Sequence, residues 1–299
     1  MSALAEIKDS IASAAGAQGP AVVGVGRGWR SGTGTVVGTG RILTAAHNVG
    51  ERATVALGNG DRSEVEPLGV DRDLAIALVA ADTGDVEPLA WAPVESTIEI
   101  GTPVIALANP GGRGLRATLG FISASDRSFR GPRGRRITGA LEHTASLPRG
   151  SAGGPLLDLE GRLIGINALR LEGDLILALG ATAGLREAVD RLGRGEEADR
   201  PRLGVAVAPP YVARRMRRAV GLAERDGILV REVEAGSPAD RAGLAQGDLI
   251  VAADGHELDS VDDLHRAIDE AGGEGGLSLG IVRGTDEREI QVELAAEAA

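Results

Sequence analysis

Two short segments carry side chains whose types and order suit acyl-transfer chemistry. Ile42-Leu43-Thr44-Ala45-Ala46-His47 runs from an apolar stretch through small residues into a histidine. Gly150-Ser151-Ala152-Gly153-Gly154-Pro155 is a small-residue turn with a hydroxyl inside it. Hydrolysis by a serine needs a neutral imidazole to take the hydroxyl proton, and a buried carboxylate to fix the imidazole tautomer and stabilise the imidazolium. His47 has the type of the base, and Asp71 and Asp73 are rival carboxylates for the third role. Glycines around a nucleophile let the backbone turn sharply and aim its N–H groups at one point. An oxyanion hole built that way is worth roughly 3–4 kcal/mol per donor.

The elements that must hold these residues read as β-structure. Between residues 21 and 180, short apolar runs recur between Gly, Pro, Asn and Asp punctuation. Examples are Val22-Val23-Gly24-Val25, Gly34-Thr35-Val36-Val37, Val104-Ile105-Ala106-Leu107 and Leu163-Ile164-Gly165-Ile166. Many short strands without intervening helices predict barrels or a sandwich. Ala183 to Leu192 reads as a helix with Leu185, Val189 and Leu192 on one face, followed by a polar, charged stretch. Beyond it the rhythm changes: strands at Leu203–Val207, Gly227–Val233 and Leu249–Ala253, a small helix at Pro238–Ala242, and a final strand pair at 278–283 and 289–294. Ser260 with Asp263 marks the start of a helix whose apolar residues are Val261, Leu264 and Ile268. The expected organisation is a helical lead at 1–16, a first domain at 17–192, a linker at 193–200 and a second domain at 201–297.

Composition narrows the functions. The 299 residues are 43% hydrophobic but only 2% aromatic, so the core must be aliphatic, and 45 glycines favour tight turns. A net charge of −11 disfavours nucleic acid and anionic membranes as partners. The local exception, Arg127, Arg130, Arg133, Arg135 and Arg136 interleaved with Gly131, Pro132 and Gly134, reads as a solvated loop rather than a binding patch. There is no cysteine, hence no disulfide and no thiolate metal site. His143, His256 and His265 lack metal-ligand spacing, so surface or capping roles are expected for each, and the glycines from Gly24 to Gly40 lack the Gly-Lys-Ser/Thr of a phosphate loop. No cofactor or metal is expected. No stretch is long and apolar enough to span a bilayer, and Met1 to Gln18 lacks the pattern of a signal peptide. The reading is a soluble protein, cytoplasmic if this is the full native chain and extracytoplasmic if an export segment was removed.

The two chemical segments resemble the T-A-A-H and G-x-S-G-G-P signatures of trypsin-fold serine proteases, and more closely those of the HtrA (DegP/DegS-like) group. The likeness continues in order through Ser31-Gly32-Thr33-Gly34, Asp71-Arg72-Asp73-Leu74-Ala75, Ala108-Asn109-Pro110-Gly111, Gly120-Phe121-Ile122-Ser123 and Gly161-Arg162-Leu163-Ile164-Gly165-Ile166-Asn167. It implies a mainly β fold, a trypsin-like double β-barrel followed by an α+β PDZ domain, and endoproteolysis of unfolded or tagged polypeptides. It makes His47 the base and prefers Asp73 to Asp71, because Leu74-Ala75 follows as in the family's Asp-Leu-Ala strand. It gives the oxyanion hole to the turn of Gly150 and Ser151, through the amides of Gly150 and Ala152. With Ser146 six residues before the nucleophile position, it also implies small or aliphatic residues before the scissile bond.

This sequence departs from the pattern at the nucleophile. The family's serine immediately precedes Gly-Gly-Pro, and here that position is Ala152, with Ser151 one place early. A methyl group cannot attack a carbonyl, so the chain is expected to be inactive. An engineered Ser-to-Ala change and a natural pseudoprotease acting as a peptide-binding or chaperone-like scaffold both explain it. Retention of His47, Asp73 and the glycines favours the first. In the second domain, Arg202-Leu203-Gly204-Val205 resembles the carboxylate-binding loop of an HtrA-type PDZ domain. Its amides at Leu203, Gly204 and Val205 would hold a peptide C-terminus while Val205 to Val207 pair with the added strand. Leu264 and Ile268 either line that groove or belong to the core. The resemblance also implies a homotrimer, although the N-terminal aromatics that help hold the family's trimers are absent before Trp29.

Overall fold

β-Branched and leucine-rich runs that alternate with glycine turns favour pleated strands over helices, and they form strands here. The computed structural model describes residues 3–27, 30–94, 96–131, 136–171, 175–196, 201–272 and 276–294. Its chain divides into two units, Met1–Ala198 and Asp199–Ala299.

The first unit opens with α1 (Ala3–Gln18), which runs two residues past the expected helical lead. Strands β1 (Val22–Arg27), β2 (Arg30–Gly38), β3 (Arg41–Ala45), β4 (Ala53–Ala56), β5 (Arg62–Val65), β6 (Pro67–Asp71) and β7 (Ile76–Ala80) follow. They make a seven-stranded sheet in the order β5-β4-β1-β2-β3-β7-β6. Next come β8 (Pro103–Ala108), β9 (Arg116–Arg130), β10 (Arg136–His143), β11 (Pro155–Leu157), β12 (Leu163–Arg170) and β13 (Ile176–Gly180). These close into a six-stranded barrel in the order β10-β13-β12-β11-β8-β9. Both cores are aliphatic, as the low aromatic content requires. Val23, Ile42, Leu43, Leu78 and Leu107 are wholly buried in one cluster, and Val104, Ala106 and Leu156 in another. Helix α2 (Ala183–Gly193) starts at Thr182, whose Oγ1 accepts from Leu185 N, and it buries Leu185, Ala188, Val189 and Leu192.

Arg127, Arg130 and Arg136 of the arginine-rich segment lie in strands, not in the expected loop. β9 continues to Arg130 and β10 resumes at Arg136, with Arg130 and Arg136 paired. Arg127 lies 3.5 Å from Glu142, and Arg136 Nη2 donates to Ser128 Oγ at 2.8 Å. Side chains on the outer face of a hairpin meet water as readily as those of a loop, so charge alone did not identify a turn. Arg133 and Arg135 lie outside the described residues.

The second unit contains β14 (Val205–Ala208), α3 (Pro210–Ala219), β15 (Ile228–Val233), α4 (Pro238–Arg241), β16 (Leu249–Ala253), β17 (His256–Glu257), α5 (Val261–Ala271), β18 (Gly276–Arg283) and β19 (Asp286–Glu293). Its sheet runs β14-β15-β16-β18-β19, with β17 on β16 and β14 at the edge. α5 begins as the Ser260–Asp263 pattern predicts. Ser260 Oγ accepts from Asp263 N at 3.3 Å and donates to Asp263 Oδ2 at 2.7 Å. Helix α3 is not foreseen in the sequence reading. Pro210 occupies its first turn, where a missing N–H costs nothing, and Arg217 is buried with hydrogen bonds to the carbonyls of Ala223 and Gly284.

Candidate active site

The register of β3 on β7 decides which segments meet. Ala45 pairs with Ile76, and Ala46 N donates to Ala75 O at 2.8 Å, so the short 3₁₀ turn Ala46–Asn48 lies beside the turn at 71–75. His47 sits on that turn and is exposed, whereas Asp73 is 7% exposed. Ala75, next to them, holds a left-handed backbone with φ of 56°. Such strain in a residue with a Cβ persists only where the surroundings over-determine it.

The two rival aspartates have different environments. Asp71 is fully buried. Its Oδ1 accepts from Asp73 N at 3.0 Å and Leu74 N at 2.9 Å, and its Oδ2 accepts from Arg191 Nη2 of α2 at 3.0 Å. That carboxylate ties the turn to the helix and shapes the segment that presents Asp73.

The loop at 150–154 is held from the first β-structure by buried polar side chains. Thr33 Oγ1 donates to Gly150 O at 2.9 Å, Thr35 Oγ1 to Gly153 O at 2.8 Å, and Asn48 Nδ2 to Ala152 O at 2.9 Å. On the other side Gly153 N donates to Asn167 O and Asn167 N to Gly154 O, both at 2.8 Å. The glycines are steric requirements. Gly153 has φ of 90°, and a Cβ there would stand 2.2 Å from Thr33 O. At Gly150, with φ of 86°, it would stand 2.5 Å from Ser31 O. The structure therefore brings His47's turn, Asp73's turn and the Gly150-Ser151-Ala152 loop into one region. Ala152 is half-buried there. Ser151 is 6% exposed, and its hydroxyl donates to Pro148 O at 2.6 Å, within its own turn. Ser146 is exposed, and the following Leu147 carbonyl accepts from Arg170 Nη2 at the end of β12.

Behind the loop, His143 on β10 is completely buried. Its Nε2 lies 2.9 Å from Asn167 Oδ1, which can only accept, so the proton is on Nε2. Asn167 Nδ2 donates to Pro155 O, and His143 Nδ1 has no hydrogen-bond partner among the described residues. Burial pushes the His143 pKa below the ordinary 6.5, against the smaller upward pull of the Asn167 bond. The surface or capping role expected for His143 is overturned by its full burial on β10 beside Asn167, and sequence reasoning assigned no roles to Thr33, Thr35, Thr44, Asn48, Asn109 or Asn167. Several lie inside motifs that carry the resemblance, but their partners are distant in sequence. Among the described residues no cluster of three or more His, Asp or Glu is arranged to hold a metal ion.

In the second unit Gly204 has φ of 78°, and a Cβ there would stand 2.2 Å from Ser237 Cβ. Leu203 turns its side chain into the core at 3% exposure, and its carbonyl accepts from Ala239 N. Leu264 and Ile268 belong to the same core, 1% and 4% exposed, which settles their open assignment. Val205, Val207 and Val261 are only partly buried against that cluster.

Comparison with known proteins agrees with this architecture. The family described as trypsin-like peptidase domain matches residues 32–166, and the PDZ domain family matches 201–294. The serine protease HhoA of Synechocystis sp. is 32% identical over 269 residues, which cover 86% of this chain and 68% of HhoA. A DegP-like periplasmic serine endoprotease of Rhizobium meliloti is 30% identical over 236 residues, 77% of this chain and 46% of that protein. The chain thus spans about half the length of some curated relatives. Among solved structures, a serine endoprotease from Yersinia pestis superposes with a TM-score of 0.68 at 26% identity, covering 96% of this chain and 98% of its own. The HtrA-type protease AlgW with a decapeptide gives 0.69 at 21% identity, covering 97% and 99%. A serine-to-alanine variant of AlgW with a decapeptide is similar as well.

Proposed function

Because the chain belongs to the HtrA family of serine proteases, we propose that its first unit is an endopeptidase scaffold for unfolded or tagged polypeptides, silenced at Ala152. His47 is the general base, Asp73 orients it, and the turn of Gly150, Ser151 and Ala152 supplies the oxyanion hole. The observation that carries this reading is the loop itself. It keeps positive-φ glycines, where any Cβ would clash, and inward-bonded carbonyls around a position whose side chain is only a methyl group. Asp71 is committed to Arg191 and two amides, which supports Asp73 in the triad role.

The chain as it stands is inactive in this account. Ser151 is no substitute nucleophile, since its hydroxyl is spent on Pro148 O. That same commitment favours a second reading, a scaffold that binds polypeptides without cutting them. The PDZ unit, placed at 201–297 after a linker at 193–200, takes C-terminal peptides through Leu203, Gly204 and Val205 and adds them as a strand to the edge of β14. AlgW carries peptides in its solved structures, which supports a peptide ligand here. Among the described residues no helix is long and apolar enough to cross a membrane. The periplasmic designation of the Rhizobium relative supports a compartment outside the cytoplasm. A homotrimer belongs to the same family-based reading. Hydrolysis of unfolded casein by the Ala152→Ser chain separates the two readings. Turnover there, with none in the Ala152 chain, supports the silenced protease, and silence in both supports the scaffold.

A further inference from the structure

We propose that Asn48 is a positioning residue that ties the base turn to the nucleophile loop, an inference that rests on the protease reading above. Asn48 directly follows His47 and is 4% exposed. Its Nδ2 donates to Thr44 Oγ1 at 3.0 Å and to Ala152 O at 2.9 Å, so both amide hydrogens are used. Thr44 Oγ1 in turn donates to Thr33 O at 2.6 Å, and Thr33 N donates to Ala152 O at 3.3 Å. Thr33 and Thr44 are both fully buried. The four groups form a closed circuit that reaches from the base turn, through β2 and β3, to the residue at the nucleophile position. Position 32 is shaped around it, because a Cβ at Gly32 would stand 2.1 Å from Asn48 Cγ.

The circuit matters for chemistry because of what it grips. Consecutive Cα atoms are about 3.8 Å apart, so holding Asn48 against Ala152 O fixes where the His47 backbone stands relative to residue 152. The bond uses the carbonyl of 152 and is indifferent to its side chain. The base-to-nucleophile spacing therefore survives the loss of a serine hydroxyl, and a hydroxyl restored on that Cβ meets a base already in place. Asn48 touches no reacting atom and acts only through its neighbours.

A purely structural role makes a different prediction, and Thr35 supplies the contrast. Thr35 is also fully buried and its hydroxyl also donates to this loop, at Gly153 O, but among the described residues that hydroxyl makes no hydrogen bond to the base turn. In the full-length chain carrying Ala152→Ser, Asn48→Leu and Thr35→Val each remove one buried side-chain donor from the same loop. Fluorophosphonate labelling at residue 152 and steady-state hydrolysis of an unfolded substrate are measured, with thermal unfolding to confirm that each variant is folded. Asn48→Leu is expected to lower the labelling rate and kcat about a hundredfold with KM little changed, the scale of loss when reacting groups shift by about 1 Å. Thr35→Val is expected to lower stability comparably and reactivity far less. Should Asn48→Leu fail to accumulate as folded protein, Asn48→Ser keeps a donor at shorter reach and is expected to give an intermediate loss. Equal reactivity of folded Asn48 and Thr35 variants overturns the proposal. Absence of labelling in Ala152→Ser alone overturns the protease reading and this inference with it.

Discussion

At 150–154 every backbone carbonyl is taken. Gly150 O accepts from Thr33, Ser151 O from Gly154 N, Ala152 O from Asn48 and Thr33, Gly153 O from Thr35, and Gly154 O from Asn167 N. At 203–208 the situation is reversed. The Leu203 and Gly204 carbonyls are anchored to Ala239 N and Glu234 N, but among the described residues β14 pairs with β15 on one side and with no strand on the other. A loop that must meet charge developing on one atom gains from fixed geometry, because preorganised donors need not reorganise at the moment of reaction. A strand that must accept many sequences gains from an open edge, because the ladder supplies affinity whatever the side chains are. The same backbone groups are closed inward in one unit and left available in the other.

The largest effect should come from the carboxylates behind the closed loop. In the Ala152→Ser chain, Asp73→Asn should lower turnover about ten-thousand-fold with little change in unfolding temperature, as expected when the base loses its orienting charge. Asp71→Asn should do the opposite, costing about 3 kcal/mol of stability through the unpaired Arg191 while the folded fraction stays active. Paired turnover and denaturation measurements decide between them, and a loss of turnover confined to Asp71→Asn would reverse the assignment. A smaller effect is expected at the open edge. Amidating the C-terminus of a bound peptide should weaken it by about tenfold or more, since a hydrogen-bonded charge is worth about 1.5–3 kcal/mol. Equal affinity of acid and amide by calorimetry would remove the carboxylate loop from the account.

The smallest effect concerns His143, which backs the closed loop. Its pKa is depressed in the folded chain, so it is neutral there while the unfolded chain takes up a proton near the ordinary 6.5. The contribution is fully present above that value and is lost as pH falls through the window beneath it, by at most about 1.4 kcal/mol per pH unit for one proton. Denaturant titrations from pH 7.5 to 5 should show a shallower decline for His143→Gln than for the parent chain. Identical slopes would mean that the buried imidazole titrates normally.

Linear patterns exposed some of this and concealed the rest for physical reasons. The Gly150–Pro155 turn was legible because sharp turns need glycine in contiguous positions, and His47 because a histidine follows an apolar run that ends in small residues. The Thr33–Thr44–Asn48 circuit was not, because its partner carbonyl at 152 lies more than a hundred residues away. Leu264 and Ile268 remained ambiguous because an apolar helix face serves a groove and a core equally, and only their burial assigns them to the core. Helix α3 was hidden by Pro209-Pro210, which reads as a break although proline is welcome in a helix's first turn. The arginines at 127–136 read as a loop because Gly and Pro punctuate them, while pairing of Arg130 with Arg136 extends the hairpin.

The most direct test of the central claim is reaction of the Ala152→Ser chain with a fluorophosphonate, located by peptide mass spectrometry and repeated with a PDZ-binding peptide present. The account predicts a covalent adduct on residue 152 of that variant, no adduct on the Ala152 chain, and none once His47→Ala is added. Loss of the serine in a comparable triad costs about a million-fold in turnover, so the contrast should be unmistakable. No adduct on the restored serine, with or without peptide, would contradict a formed triad and oxyanion hole and leave the polypeptide-binding scaffold as the better description.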